Sequence, residues 1–377
     1  MQHTAAGACA FVGGLVPMGA AAFRLVRGED GPAPMDINTR QFSTPYFEGA
    51  FDSAMRIISL VDKQSGRQLV KAGDCLNRIV CYENRPHNYD AWDINIYYDE
   101  RQWDVDELVS AEVAEEGSVL TKICCVYRFN RSEIVQNIVF YRDIPRIDFE
   151  TQVDWREDHY LLKAHFPVDV FYNEATYDIQ FGNVKRPTHK NTSWDAARFE
   201  VCAHKWMDVS EGNYGFSLLN DCKYGHSADE NGIALTLLKS STSPNPEADQ
   251  EMHHFTYSIM PHSGDWRAAG TPDMAHRLNM PATVVYGQGG ELMPLVQVDC
   301  QHVMVESVKH ALRGEGTVLR LYECFGQRGR VRLQLGWMPE SVRRISLMED
   351  TEEELSVSGN AVEFEIRPYE IVSLLAE

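Results

Sequence analysis

Two clusters combine aromatic and polar side chains of the kinds that could bind a sugar. The first is residues 89–93, YDAWD, which holds Tyr89, Asp90, Trp92 and Asp93. Small-molecule sites combine aromatic faces with a few convergent polar groups. Trp92 is therefore expected to stack on a sugar ring while the two carboxylates accept hydrogen bonds from its hydroxyls. The alternative is that Trp92 packs in the core and the two carboxylates cap a turn.

The second cluster is a polar stretch at residues 186–195, RPTHKNTSWD, which lies between predicted strands. Loops carry binding groups more often than strands do. Arg186 offers a planar guanidinium that can donate two parallel hydrogen bonds. Asn191 and Trp194 add an amide and a second aromatic face. The alternative for Arg186 is a salt bridge between domains.

Charge and length restrict the class of protein. The chain has 377 residues and a formal net charge of −20, so two or three domains are expected, with a surface that repels nucleic acid and anionic lipid. No run of 18 apolar residues occurs, and a membrane span is not expected. The nine cysteines are scattered without a CxxC pair, which favours free buried thiols in a reducing compartment over a zinc ribbon.

The elements that must position these clusters are strands. In residues 146–155, Ile147, Phe149, Val153 and Trp155 fall on one face and charged residues fall on the other, which is typical of a half-buried antiparallel strand. Residues 106–115 are acidic and predict a short helix or an edge strand. Further strands are predicted at residues 55–61, 77–82, 119–127, 134–141, 160–166, 215–220, 233–238, 255–260, 318–322, 331–335 and 362–366. The many short strands predict an all-β fold of the sandwich class.

Five stretches, taken together and in this order, resemble the C-terminal region of family 38 glycoside hydrolases, the α-mannosidases, in their bacterial and cytosolic branch. They are NYDAWDI at residues 88–94, RPTHKNTSWDAARFE followed by HKW between residues 186 and 206, LLNDCKYG at 218–225, FTY and PHSGDW at 255–266, and PYEI at 368–371. The resemblance covers residues 45–377. It implies a galactose mutarotase-like supersandwich followed by a smaller C-terminal β-sandwich.

The resemblance also implies an organisation and a location. Residues 1–44 would be a leading segment, residues 45–272 the large sandwich and residues 273–377 the small one. The family's α/β catalytic domain would be the partner, in the same chain or a separate one, and an α-mannoside or another carbohydrate would be the ligand. A cytoplasmic location is expected, and a homo-oligomer is possible. In such enzymes the loop carrying Arg186 would face the catalytic domain.

The chain departs from the family in its catalytic groups. Family members bind zinc through His and Asp residues that include a His-x-Asp pair, but none of the thirteen histidines here is followed two positions later by Asp. The resemblance therefore implies that no cofactor is bound by this chain and that the isolated chain is inactive. Three functions are left open: a non-catalytic part of an α-mannosidase, an autonomous carbohydrate-binding module, and an aldose epimerase of the mutarotase type.

Overall fold

The computed structural model describes residues 2–4, 7–12, 19, 21–23, 32–287 and 294–377. The described chain divides into two compact units. Residues 32–178 and 185–281 form most of the first, and residues 179–184 and 282–377 form most of the second. The first unit continues past residue 272, where the sequence set the boundary, and includes a helix that crosses that position. Much of the predicted leading segment lies outside the described residues.

Up to residue 281, the described residues of the chain form mainly antiparallel strands, with the helices α1 (Ser193–Ala196) and α2 (Thr271–Asn279) and a 3-10 turn at Tyr98–Glu100. Its strands are β1 (Gln2–Thr4), β2 (Gly7–Cys9), β3 (Asp36–Ile37), β4 (Gln41–Ser43), β5 (Phe47–Phe51), β6 (Ile57–Asp62), β7 (Arg67–Gln68), β8 (Arg78–Glu83), β9 (Gln102–Asp104), β10 (Glu107–Glu115), β11 (Leu120–Phe129), β12 (Ser132–Tyr141), β13 (Ile147–Asp154), β14 (Tyr160–Phe166), β15 (Glu174–Ile179), β16 (Gly182–Pro187), β17 (Val201–Cys202), β18 (Trp206–Ser210), β19 (Tyr214–Asn220), β20 (Gly225–Asp229), β21 (Gly232–Ser240) and β22 (Met252–Ser263).

Two large sheets form the sandwich of the first unit. The nine-stranded sheet has the order β10-β11-β12-β13-β22-β19-β18-β15-β16, and the six-stranded sheet has the order β17-β20-β21-β14-β8-β9. Phe166 of the six-stranded sheet lies 6.3 Å from Phe149, 6.4 Å from Phe216 and 6.1 Å from Tyr257 of the nine-stranded sheet, between ring centroids. These rings bury a common apolar core between the two sheets. A smaller five-stranded sheet contains β3 to β7.

The period-two pattern predicted the strands correctly. Ile147, Phe149 and Val153 of β13 are all buried, as expected for one face of a half-buried strand. Every strand predicted from this pattern is present, with bounds that differ by a few residues at most. The acidic residues 106–115 form β10, the edge strand of the nine-stranded sheet, which confirms the second of the two alternatives.

The second unit is a smaller β-sandwich, which confirms the predicted all-β architecture. A four-stranded sheet in the order β23-β26-β30-β29 and a five-stranded sheet in the order β24-β25-β31-β27-β28 enclose one apolar core, which includes Leu321, Leu333 and Phe364. Its strands are β23 (Val296–Val298), β24 (Val303–His310), β25 (Thr317–Glu323), β26 (Gly329–Leu335), β27 (Val342–Ile345), β28 (Thr351–Leu355), β29 (Val357–Ser358), β30 (Ala361–Ile366) and β31 (Ile371–Ala376).

The fold bears on two expectations from the sequence, that the chain has no membrane span and that its cysteines are buried free thiols. Neither helix in the described residues has the length and apolar character needed to cross a bilayer. All nine cysteines are free thiols, and Cys75, Cys81, Cys125 and Cys324 are buried. Cys202 and Cys222 are exposed, so the expectation that the thiols are buried applies to only part of the set.

Candidate functional site

Two irregular segments cover the outer face of the six-stranded sheet. The first covering segment is residues 84–101, and the second covering segment is residues 188–200. Ile94 and Tyr98 of the first pack on an apolar patch of β8 and β14 that includes Tyr82. The rings of Tyr98 and Phe199 lie 6.0 Å apart, so the two segments meet above the sheet. The predicted aromatic and polar clusters lie on these two segments.

The first covering segment presents its aromatic side chains to solvent. Tyr89 has a left-handed φ of 55°, and its carbonyl accepts hydrogen bonds from the backbone N–H of Trp92 at 2.7 Å and of Asp93 at 2.9 Å. This tight turn leaves the Tyr89 side chain 76% and the Trp92 side chain 88% exposed. Asp93 is exposed beside them. Trp92 therefore lies outside the core, with its ring faces free for stacking.

Asp90 faces the protein and fastens the same turn. Its carboxylate accepts hydrogen bonds from the Thr242 backbone N–H at 2.7 Å and from the Thr242 hydroxyl at 3.3 Å. His159 Nδ1 lies 3.8 Å from the other carboxylate oxygen. Burial acts to raise the pKa of Asp90, but these bonds and the nearby charges of His159 and Lys239 lower it. Asp90 thus positions the loop, and of the two carboxylates only Asp93 faces solvent.

The second covering segment has a comparable design. Thr192 caps α1: its hydroxyl accepts from the Asp195 backbone N–H, and the Asp195 carboxylate accepts from the Thr192 backbone N–H and hydroxyl. This reciprocal capping box fixes the short helix that carries Trp194. The Trp194 side chain is 76% exposed, and Asn191 is exposed just before the helix. Both covering segments therefore display an exposed tryptophan on a locally hydrogen-bonded turn.

Arg186 lies on β16, at the edge of the nine-stranded sheet, and not on a loop as the sequence predicted. Its guanidinium carbon lies 4.7 Å from the centre of the Tyr177 ring. Its Nη1 is buried and has no hydrogen-bond partner among the described residues. Burial lowers its pKa, against the opposite influence of Tyr177. The guanidinium thus keeps donor capacity that the part of the chain described by the structure does not use.

Sequence reasoning missed a polar group that holds the two covering segments on the sheet. Lys163 of β14 is fully buried, and its ammonium donates to Glu200 in the second segment and Tyr98 in the first. The available signal was a lysine inside YLLKAHF, an otherwise mostly apolar strand. A lysine there is a strong sign of a buried partner, because an unpaired buried charge is very costly.

The described residues do not fit a metal ion. Within them, no three His, Cys, Asp or Glu side chains converge in a way that could hold one. No chemical step through a metal is therefore assigned to this chain.

Two family descriptions match the chain in order along its length. Residues 43–247 match the glycosyl hydrolases family 38 C-terminal domain, and residues 302–374 match the glycosyl hydrolases family 38 C-terminal beta sandwich domain. The chain is 36% identical over 334 residues to Alpha-mannosidase 2C1 of Homo sapiens, covering 86% of this chain and 32% of that protein. It is 33% identical over 333 residues to Alpha-mannosidase G of Dictyostelium discoideum, covering 84% of this chain and 30% of that protein.

A solved structure has the same fold. An alpha-mannosidase from Enterococcus faecalis V583 superposes with a TM-score of 0.76 at 14% identity, covering 93% of this chain and 44% of that one. The chain spans about a third of the length of the curated relatives it matches, 32% for the human protein.

Proposed function

The chain belongs to glycoside hydrolase family 38, and from this premise we propose that it is the C-terminal, non-catalytic β part of an α-mannosidase. In this role it supports a catalytic part of the same family, in the same chain or a separate one, and supplies carbohydrate-binding groups at the rim of its cleft. The observation that supports this proposal most directly is the pair of C-terminal domain matches, at residues 43–247 and 302–374. The substrate class is terminal α-mannosides, and the location is the cytoplasm.

The exposed aromatic surface supports the rim role. Trp92, Tyr89 and Trp194 would be costly to expose without a function, since large aromatic side chains gain most from burial. The same side chains are well suited to stack on a sugar ring, with Asp93 and Asn191 placed beside them to bond its hydroxyls. A hydrated carbohydrate or the surface of the catalytic part would cover them.

Arg186 supports the same proposal from a different element. A guanidinium with an unpaired, buried Nη1 is unusual in a chain with a formal net charge of −20. It is prepared to donate to a carboxylate or hydroxyl that another part of the enzyme or the substrate supplies. The alternative of a salt bridge with a carboxylate in another domain is compatible with the same free donor.

The test is reconstitution of activity. Hydrolysis of p-nitrophenyl α-D-mannoside is measured with the purified chain alone, with a separately produced α/β part of a family 38 α-mannosidase, and with both mixed. We expect no turnover by the chain alone and a gain in turnover on mixing, which Arg186→Ala and Trp92→Ala reduce. Trp103→Ala, at a tryptophan of β9 that is 39% exposed, is the control. Turnover by the chain alone, or an α/β part that neither binds it nor gains from it, would refute the proposal.

A second function, an autonomous carbohydrate-binding module, is favoured by one observation. Trp92 and Trp194 are 88% and 76% exposed and lie on neighbouring segments. Titration calorimetry of the chain with mannosides would show binding that Trp92→Ala and Trp194→Ala abolish, whereas lack of binding to any mannoside would remove this function. The epimerase alternative stays a prediction.

A further inference from the structure

Lys163 lies at the junction of the sheet and both covering segments. Its side chain is fully buried. Its ammonium lies 2.5 Å from Glu200 Oε2, 2.9 Å from Ser227 Oγ and 3.3 Å from Tyr98 Oη. An ammonium has three N–H donors, and here each has one acceptor. One acceptor belongs to the first covering segment, one to the second and one to β20 of the sheet.

The charge at this junction is permanent. Burial acts to lower the pKa of Lys163, but the Glu200 carboxylate and the Tyr98 hydroxyl outweigh it, so the pKa is raised above its usual value. The Glu200 carboxylate is itself only 12% exposed and also accepts from the Thr236 hydroxyl. Removing either charge leaves the other nearly buried and uncompensated, which is far more costly than losing an exposed pair.

Elsewhere, the two covering segments have separate attachments. The first is fastened through Asp90, whose carbonyl accepts from Lys239 Nζ and whose carboxylate accepts from Thr242. The second has its own internal capping box at α1. Trp92 therefore lies between the Asp90 attachment and the Lys163 junction, and Trp194 lies within the capping box, between Thr192 and Asp195 and ahead of the same junction. The two segments also touch directly, where the Tyr98 and Phe199 rings lie 6.0 Å apart, and Lys163 is a hydrogen-bonding partner that both segments share.

We infer that Lys163 is a positioning residue that couples the two covering segments, so that ordering one lowers the cost of ordering the other. The Lys163 ammonium bonds to both segments. Loss of its bond to Tyr98 or to Glu200 therefore weakens the way the same ammonium is held for the remaining bond. Sites joined through one buried hydrogen-bonded charge are expected to act non-additively. The inference rests on the proposed function only in assigning the aromatic surface to carbohydrate or to the catalytic part.

Hydrogen exchange read by mass spectrometry on the whole chain tests the coupling. Both segments contain backbone N–H groups in hydrogen bonds that report their order, such as those of Asp93 and Ala196. For Lys163→Met we expect exchange to speed up more than about 100-fold in both segments, consistent with the loss of a buried ion pair. Lys239→Met, the matched control on the neighbouring strand, loosens the first segment at Asp90 and leaves the Lys163 bonds in place, so exchange in the second segment should speed up far less than in Lys163→Met.

Two milder variants keep the test decisive if Lys163→Met unfolds the unit. Tyr98→Phe removes one hydroxyl from the first segment and should speed exchange about fivefold there, with a measurable increase in the second segment. Glu200→Gln should speed exchange mainly in the second segment, with a measurable increase in the first segment. The double variant should differ from the product of the two single effects. An effect of Tyr98→Phe confined to the first segment, or simple multiplication in the double variant, would overturn the inference. These measurements need no mannoside and no catalytic part, so they fail or succeed separately from the proposed function.

Discussion

Acidification should destabilise the first unit, and buried His226 accounts for one part of that loss. His226 of β20 is fully buried, and its Nδ1 lies 3.2 Å from the Tyr224 carbonyl. Since a carbonyl can only accept, Nδ1 carries the proton. Nε2 is buried without a partner among the described residues. Burial lowers the pKa of His226 to about 4; the bond to the Tyr224 carbonyl acts in the opposite direction, and the charges of Lys163 and Arg186 add smaller lowering contributions.

The sign and size of the effect follow from that lowered pKa. An unfolded histidine has a pKa of about 6.5, so the unfolded state takes up the proton first as the pH falls. The contribution to stability is complete above about pH 6.5 and is lost as the pH falls toward about 4. Each pH unit in this window costs about 1.4 kcal/mol, and the free energy of unfolding should fall by about 2 kcal/mol between pH 7 and pH 5 from His226 alone.

Urea unfolding followed by tryptophan fluorescence measures this loss. Six of the seven tryptophans precede residue 282, so the signal reports mainly the first unit. His226→Gln should lose about 2 kcal/mol less than the parent chain between pH 7 and pH 5. His87→Gln, at an exposed histidine, should keep the full loss. Equal pH dependence in the parent chain and His226→Gln would refute the reasoning.

Three further substitutions test other buried contacts. Glu323→Gln should destabilise the second unit by about 2 kcal/mol, because three backbone N–H groups donate to this buried carboxylate. Calorimetry measures the loss, and exposed Glu365→Gln should show no comparable change. Gln136→Leu should lower the free energy of unfolding of the first unit by about 2 kcal/mol, because it breaks a closed hydrogen-bond network with Asn77, Thr151 and Tyr257; an unchanged urea midpoint would contradict this. Gly215→Ala should cost about 1–3 kcal/mol, since its Cβ would lie 2.3 Å from His262 Cε1, and an unaltered melting temperature would disprove the predicted clash.

The strands were predictable from the sequence because burial of one face imposes a period of two. Ile147 and Phe149 of β13 show this directly. The exposure of Trp92 was not predictable, since the same YDAWD sequence fits a core tryptophan with capping carboxylates. The turn at Tyr89 directs the Trp92 side chain outward, and the contact with Thr242 directs the Asp90 carboxylate inward. The turn is local, but the contact with Thr242 joins residues that are 152 positions apart in sequence.

The end of the first unit and the partners of Lys163 are likewise set by contacts between residues that are distant in sequence. The sequence predicts a boundary near residue 272 from a break in the strand pattern, and in the structure α2 begins there and packs on the first unit, where Thr271 bonds Ser217. The first unit accordingly extends to Pro281. The partners of Lys163 lie 65, 37 and 64 positions away in sequence, so no local pattern could connect them.

The order of strands in the nine-stranded sheet has a consequence for how the chain acquires its structure during synthesis. β10 to β13 form a meander of neighbours, but β13 then pairs with β22, so Ile147 lies beside Ile259. A ribosome must therefore produce about a hundred more residues before this sheet can close, and until then β13 has an unpaired edge. We expect the first unit to complete its fold late in translation and to depend on protection of that edge from aggregation in the interval.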